Sequence, residues 1–116
     1  MSEPGLPAGV VLLGRDPDGL ARVRVEPRSP LLDGHFPERP VLPGVALLGV
    51  VEALCGRRVV GVERVKLLAP IEPGLTLNVT LRAAGRGRLE LGVRATDGAP
   101  RAAGIVIVEE EEGEQQ

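Results

Sequence analysis

Residues 44–56, GVALLGVVEALCG, restrict the fold of this chain more than any other stretch. They are long enough for a helix of three turns, and Gly56 suits a helix end because glycine tolerates the left-handed backbone found there. Glu52 is the one charged residue, so the predicted helix is apolar on every side. A helix of this kind must be surrounded by protein. We therefore expect the rest of the chain to wrap around it.

The other segments alternate apolar and polar residues, which predicts strands with one buried face. Strands are predicted at residues 9–13, 21–26, 59–68, 75–81, 89–95 and 102–108. Turn-forming residues separate the last four at 72–74, 85–87 and 97–100. The predicted fold class is α+β, with a strand or two, one helix and then four strands in an antiparallel run.

The chain has 116 residues, which is room for one hydrophobic core and not for two. We expect a single domain over residues 1–108 and an acidic, disordered tail over residues 109–116. Five of the 16 acidic residues lie in that tail, so the 14 basic residues exceed the 11 acidic ones elsewhere. The predicted body is mildly basic.

Several functional classes are excluded by residues that the chain lacks. Phe36 is its one aromatic residue, so the stacking platforms of single-strand nucleic-acid binders are missing. One Cys and one His make neither an internal disulfide nor a zinc site, and we take Cys55 as a small core residue. No apolar run reaches the ~18 residues of a membrane span, and the N-terminus does not resemble a secretion signal. We expect a cytoplasmic protein with no metal.

Residues 33–49, DGHFPERPVLPGVALLG, place the only His and the only Phe side by side just before the predicted helix. Three prolines between His35 and Gly44 fix φ and remove backbone donors, so His35 is held on a stiff loop. Gly44 begins a helix whose first N–H groups have no intrahelical acceptor and carry the positive end of the dipole. A His beside such a terminus can accept a proton while the N–H groups stabilise a developing negative oxygen.

The pattern GHFPxxPVLPGV at residues 34–45 resembles the signature of the β-hydroxyacyl-acyl-carrier-protein dehydratases, the FabZ/FabA-like enzymes of fatty acid synthesis. Residues 65–79, VKLLAPIEPGLTLNV, look like the strand, Pro-Gly turn and strand of the same family, with Leu75 where the family often has Asp. The resemblance implies the hotdog fold, a curved antiparallel sheet wrapped around a central helix. It also implies two protomers paired edge to edge and no metal or redox cofactor.

The resemblance implies a role for each matching residue. His35 would remove the α-proton of a 3-hydroxyacyl thioester, and the Gly44 N–H would polarise the thioester carbonyl. The family's third group is a Glu or Asp fourteen positions after the His, supplied by the other protomer, which handles the leaving hydroxyl. In this chain that position is Gly49. The other positions assigned to the substrate site are Phe36, Val41 and Pro43.

Glu52 is the nearest acid on the predicted helix after Gly49. Three residues advance a helix by about 4.5 Å and place Glu52 about 60° around from Gly49. Glu52 is therefore either a misaligned substitute acid or a residue that pairs with Arg57 or Arg58 at the helix end.

Three functions fit these observations. The first is a dehydratase of fatty acid or polyketide metabolism with His35 as base and Glu52, or a bound water, in place of the acid. The second is a non-catalytic acyl-thioester-binding chain or a partner subunit of a heteromeric dehydratase. The third is a hotdog thioesterase. The expected partners are an acyl thioester on acyl carrier protein or coenzyme A, and a second chain in a homodimer or in a heterodimer with an active paralogue.

Overall fold

The computed structural model describes residue 6 and residues 9–17, 19–26, 44–72 and 74–110. Its elements are β1 (Val10–Arg15), β2 (Leu20–Val25), α1 (Gly44–Cys55), β3 (Val59–Leu67), β4 (Thr76–Ala83), β5 (Arg88–Ala95) and β6 (Pro100–Val108). All seven predicted elements are confirmed, each within two residues of its predicted ends. His35, Phe36, Val41, Pro43 and the tail residues 111–116 lie outside the described residues.

The six strands form one antiparallel sheet in the order β1-β2-β4-β5-β6-β3. An antiparallel run would place β3 beside β4, but β3 pairs with β6 at the far edge and β2 pairs with β4. α1 and the residues before it lie between β2 and β3 in the chain, so these two strands need not be neighbours in the sheet.

The hydrophobic core lies between one face of α1 and one face of the sheet. From the helix it takes Ala46, Leu47, Val50, Val51 and Leu54. The opposite helix face, which carries Leu48, Gly49, Glu52, Ala53 and Cys55, is only half-buried. The sequence predicted a helix surrounded by protein on every side. In the structure only one face of α1 is fully buried, because a single sheet covers a single face of the helix.

Strand β3 is an edge of this sheet, and it exposes apolar side chains. Val60, Val62 and Leu67 are 59%, 48% and 53% exposed. Val62 pairs with Val106 and Leu67 with Ala102, two buried residues of β6. Because residues paired across strands share a sheet face, Val62 and Leu67 lie on the face that packs against α1. An apolar surface therefore extends from the core to the β3 edge.

A β-bulge interrupts the pairing of β3 with β6. Glu63 pairs with Ile105 and Lys66 with Ala103, so two residues of β3 oppose Gly104 alone. Arg64 in the bulge has a φ of 53°, a left-handed conformation that is uncommon for a residue other than glycine. A Cβ on Gly104 would lie 2.4 Å from Cα of Val65. Only glycine allows the two backbones to approach this closely.

The acidic segment after β6 starts in contact with the domain. The Glu109 N–H donates to the Arg58 carbonyl at 2.8 Å, and the Glu110 carboxylate pairs with Arg86 at 2.7 Å.

Candidate functional site

The N-terminus of α1 lies at Gly44, where the sequence predicted a helix start. The first N–H groups of any helix lack intrahelical acceptors and carry partial positive charge. The first turn of α1 contains no acidic residue, so no carboxylate of that turn neutralises this charge. The helix start can therefore stabilise a negatively charged oxygen. The positions of His35, Phe36, Val41 and Pro43 around it stay a prediction, because these residues lie outside the described ranges.

Gly49 lies in the middle of α1 on its half-buried face, about 7.5 Å along the helix from Gly44. Leu48 and Ala53, also half-buried, are its apolar neighbours on the helix. Neither they nor Gly49 carries an ionisable group. The helix therefore presents no carboxylate at the level that the family's sequence spacing assigns to the acid.

Glu52 lies one turn further on, about 12 Å from the helix start. Its Oε2 accepts a hydrogen bond of 2.8 Å from the N–H of Val59, which is the first residue of β3. The carboxylate thus connects the helix to the edge strand that follows it. This contact favours a structural use of Glu52, and its catalytic role stays a prediction.

Two interactions cap the C-terminal end of α1. Gly56 has a φ of 72°, and its N–H donates to the Glu52 carbonyl at 2.9 Å, as in a left-handed helix cap. The Arg15 guanidinium, at the end of β1, donates to the Leu54 carbonyl and brings positive charge to the negative end of the helix dipole. The first was predicted from the sequence. The second was missed, because no local pattern relates two residues 39 positions apart.

A pocket of about 220 Å³ opens beside this helix end. It is lined by Arg15, Gly19, Ala21, Leu54, Cys55, Leu81 and Leu89. Cys55 packs against the core, in keeping with its expected role as a small core residue. The pocket lies about 16 Å along the helix from Gly44, so it is not part of the site at the helix start.

Two further properties concern the described part of the chain. It contains no group of three or more His, Cys, Asp or Glu side chains placed to hold a metal ion. Within the same ranges, no helix is long and apolar enough to cross a membrane.

Comparisons with known proteins agree with this architecture. The profile of the ApeI-like family, described as ApeI dehydratase, matches residues 15–104. A 3-hydroxyacyl-[acyl-carrier-protein] dehydratase FabZ from Bradyrhizobium diazoefficiens is 30% identical over 94 residues, which cover 66% of this chain and 60% of that relative. The chain thus spans less than two thirds of that enzyme's length.

Solved structures share the fold. An uncharacterized protein from Erwinia carotovora subsp. atroseptica is 25% identical with a TM-score of 0.66, over 87% of this chain and 96% of that one. The dehydratase heterocomplex ApeI:P from Xenorhabdus doucetiae gives a TM-score of 0.69 at 23% identity, over 84% and 96% of the two chains. A hypothetical thioesterase with coenzyme A from Streptococcus pneumoniae gives 0.53 at 13% identity, over 88% and 87%.

These neighbours confirm the hotdog fold that the resemblance implied, with a six-stranded antiparallel sheet packed on one helix. The family profile covers the span from the end of β1 to the middle of β6, which is most of the chain. The chain belongs to the ApeI-like dehydratase family within the FabZ/FabA-like hotdog proteins.

Proposed function

We propose that this chain is a subunit of a 3-hydroxyacyl-thioester dehydratase, in which it supplies the base and the oxyanion donor while a paralogous chain supplies the acid. One observation carries the proposal. The helix has Gly49 at the position of the acid, and Glu52, the nearest carboxylate on that helix, is bound to the Val59 N–H.

The chemistry requires all three groups. His35 takes the α-proton, the electron pair of the C–H bond becomes the new C=C bond, and the C–O bond at the β-carbon breaks. The thioester oxygen gains negative charge during proton removal, and the Gly44 N–H stabilises it. Hydroxide is a poor leaving group, so an acid must protonate it to release water. A chain with Gly49 therefore provides two of the three groups and lacks the acid.

The exposed apolar side chains at the β3 edge support association with a second chain. Leu48 and Ala53 on the helix are half-buried, and Val62 and Leu67 at the β3 edge are exposed on the same side of the sheet. An edge strand with free backbone groups and apolar side chains tends to pair with another chain.

The choice between a homodimer and a heterodimer follows from Gly49. A homodimer would contain two sites without a helix carboxylate at this position. A heterodimer with a chain that has Glu or Asp there would contain one complete site, made of His35 and Gly44 from this chain and the acid from its partner. The solved neighbour described as a dehydratase heterocomplex is a precedent for two different chains in one such enzyme.

The thioesterase alternative is less well supported. The thioesterase neighbour is 13% identical, which is a likeness of fold alone.

The reducing cytoplasm stays our expected location, in keeping with one free cysteine in the part of the chain that the structure describes.

The test is a hydration and dehydration assay on short and medium 3-hydroxyacyl thioesters. The chain is assayed alone and after mixing with purified hotdog paralogues from the same genome. We expect little activity alone and a clear gain with one paralogue, and His35→Ala in this chain should remove that gain. Full activity of the chain alone, or a mixture unaffected by His35→Ala, would contradict the proposal.

A further inference from the structure

A groove of about 380 Å³ lies at the β3 bulge on the outer face of the sheet. The small residues Ala103 and Gly104 form the base of this groove and leave space above the sheet. Ala102 on β6 is buried toward the helix, so Ala103 points to the opposite side. The residues that line it are Glu63, Arg64, Lys66, Leu68, Glu90, Leu91, Ala103, Gly104 and Ile105. Pairing of another chain with the β3 edge would leave this outer face open.

The bulge gives the groove a fixed shape. Arg64 is held at a φ of 53°, which a non-glycine residue adopts only when the surroundings impose it. The close approach of Gly104 to Val65 lies in the same bulge. Arg64 and Lys66 are both exposed and lie on either side of Val65. Two cationic side chains thus stand at a strained point of the edge strand.

The charges around the groove favour an anion. Of its two acids, Glu63 is ion-paired with Arg88. Glu90 lies across from Arg82 in the register of β4 and β5 and has no ion-pair partner within the described residues. Within the described ranges, Arg64 and Lys66 have no carboxylate at ion-pair distance. The groove therefore has two cations and one carboxylate without an ion-pair partner, which leaves a net positive charge.

We propose that this groove binds a phosphate ester, held by Arg64 and Lys66. Arg provides a planar fork of donors for phosphate oxygens and Lys a mobile point charge. The volume falls within the range of small-molecule sites. Two carriers of acyl thioesters bear such a group, namely coenzyme A and the phosphopantetheine arm of a carrier protein. The identity of the carrier rests on the proposed function, whereas anion binding does not.

The first experiment measures anion binding by titration calorimetry on the full chain. The probes are inorganic pyrophosphate, coenzyme A and pantetheine, which lacks phosphate. Arg64→Asn removes the charge and suits the left-handed backbone, so it should keep the fold. Lys66→Gln removes the second charge, and Arg22→Gln is the control because Arg22 is exposed on β2, at the other side of the sheet.

We expect pyrophosphate and coenzyme A to bind in preference to pantetheine. Arg64→Asn and Lys66→Gln should each weaken that binding about tenfold, with little effect from Arg22→Gln. Equal losses in all three variants would show a general charge effect and overturn the proposal. So would equal affinity for pantetheine, or no binding of either phosphate probe at millimolar concentration.

A second measurement identifies the carrier. KM is compared for a hydroxyacyl thioester on coenzyme A and on a carrier protein, using the active complex. A rise in KM for one carrier alone in Arg64→Asn assigns the phosphate to that carrier, and unchanged KM for both overturns the link to the substrate. Calorimetry is independent of turnover. Anion binding that depends on Arg64, together with no dehydratase activity in any mixture with a paralogue, would sink the proposed function and leave the anion site standing.

Discussion

Gly49 and Glu52 lie within one turn of each other on α1, yet the structure uses them differently. Gly49 leaves its part of the half-buried helix face without a side chain. Glu52 directs its carboxylate to the Val59 N–H. Glu52 is the acid nearest to position 49 on the helix. Its carboxylate is therefore hydrogen-bonded near the end of α1 that lies opposite to Gly44. At the residue scale the question is what a carboxylate would do at each position.

Gly49→Glu should install or raise dehydratase activity in the chain alone. General acid–base groups contribute about 10²- to 10⁴-fold, so the gain in kcat/KM should be measurable in the hydration assay. Replacing a mid-helix glycine also raises helix propensity by about 0.5–1 kcal/mol, which favours a folded variant. A folded Gly49→Glu that binds acyl thioester without any gain, together with an unaffected His35→Ala, would show that His35 is not the base.

Glu52→Ala should destabilise the fold by about 1–2 kcal/mol, because the Val59 N–H loses its charged acceptor. The matched variant Glu52→Gln keeps an oxygen acceptor and should cost much less. Urea unfolding measures both. Activity of the complex should survive Glu52→Gln, and its loss without a change in stability would assign Glu52 a proton-transfer role instead.

At the element scale, the β3–β6 pair depends on Gly104. Its backbone passes so close to Val65 that any side chain would meet main-chain atoms, which cannot rotate away. The strained conformation of Arg64 follows from the same bulge. The edge strand is thus bent at a defined point, and the groove on the outer face lies beside that bend.

Gly104→Ala should destabilise the protein by about 1–3 kcal/mol, since a Cβ would lie 2.4 Å from Cα of Val65 and force the strands apart. Gly61→Ala in β3 is the control, because a Cβ there would meet only side-chain atoms of Ile107, at 3.5 Å and beyond. Gly61→Ala should change the midpoint of thermal unfolding little, whereas Gly104→Ala should lower it. Equal effects of the two variants would contradict the assignment of the bulge.

At the scale of the whole molecule, a single chain leaves its apolar interior open at one edge. The sheet covers one face of α1, and the core surface continues to Val62 and Leu67 without a cover. A protein with this surface is expected to associate, and closed two-fold pairing is the commonest way to do so.

Val62→Lys combined with Leu67→Lys should shift the protein to single chains in sedimentation at micromolar concentration. Two charges placed on the surface that a partner would desolvate oppose association. Leu13→Lys is the control, because Leu13 is 51% exposed on β1, at the other edge of the sheet. A wild-type protein that sediments only as a single chain, or a Leu13→Lys variant that dissociates equally, would contradict self-association through the β3 edge.

The sequence by itself determined the seven elements, the helix start at Gly44, its end at Gly56 and the missing carboxylate at position 49. These are local properties, because the period of apolar residues and the conformational limits of glycine depend on near neighbours. Only the tertiary structure decided that β3 crosses to β6, that Arg15 caps the helix, that Glu52 meets Val59 and that Gly104 bends the edge strand. Periodicity tells which face of a strand is buried, but it carries no information on which strand lies beside it. Those contacts form between segments far apart in sequence, so they depend on how the whole chain packs around its one helix.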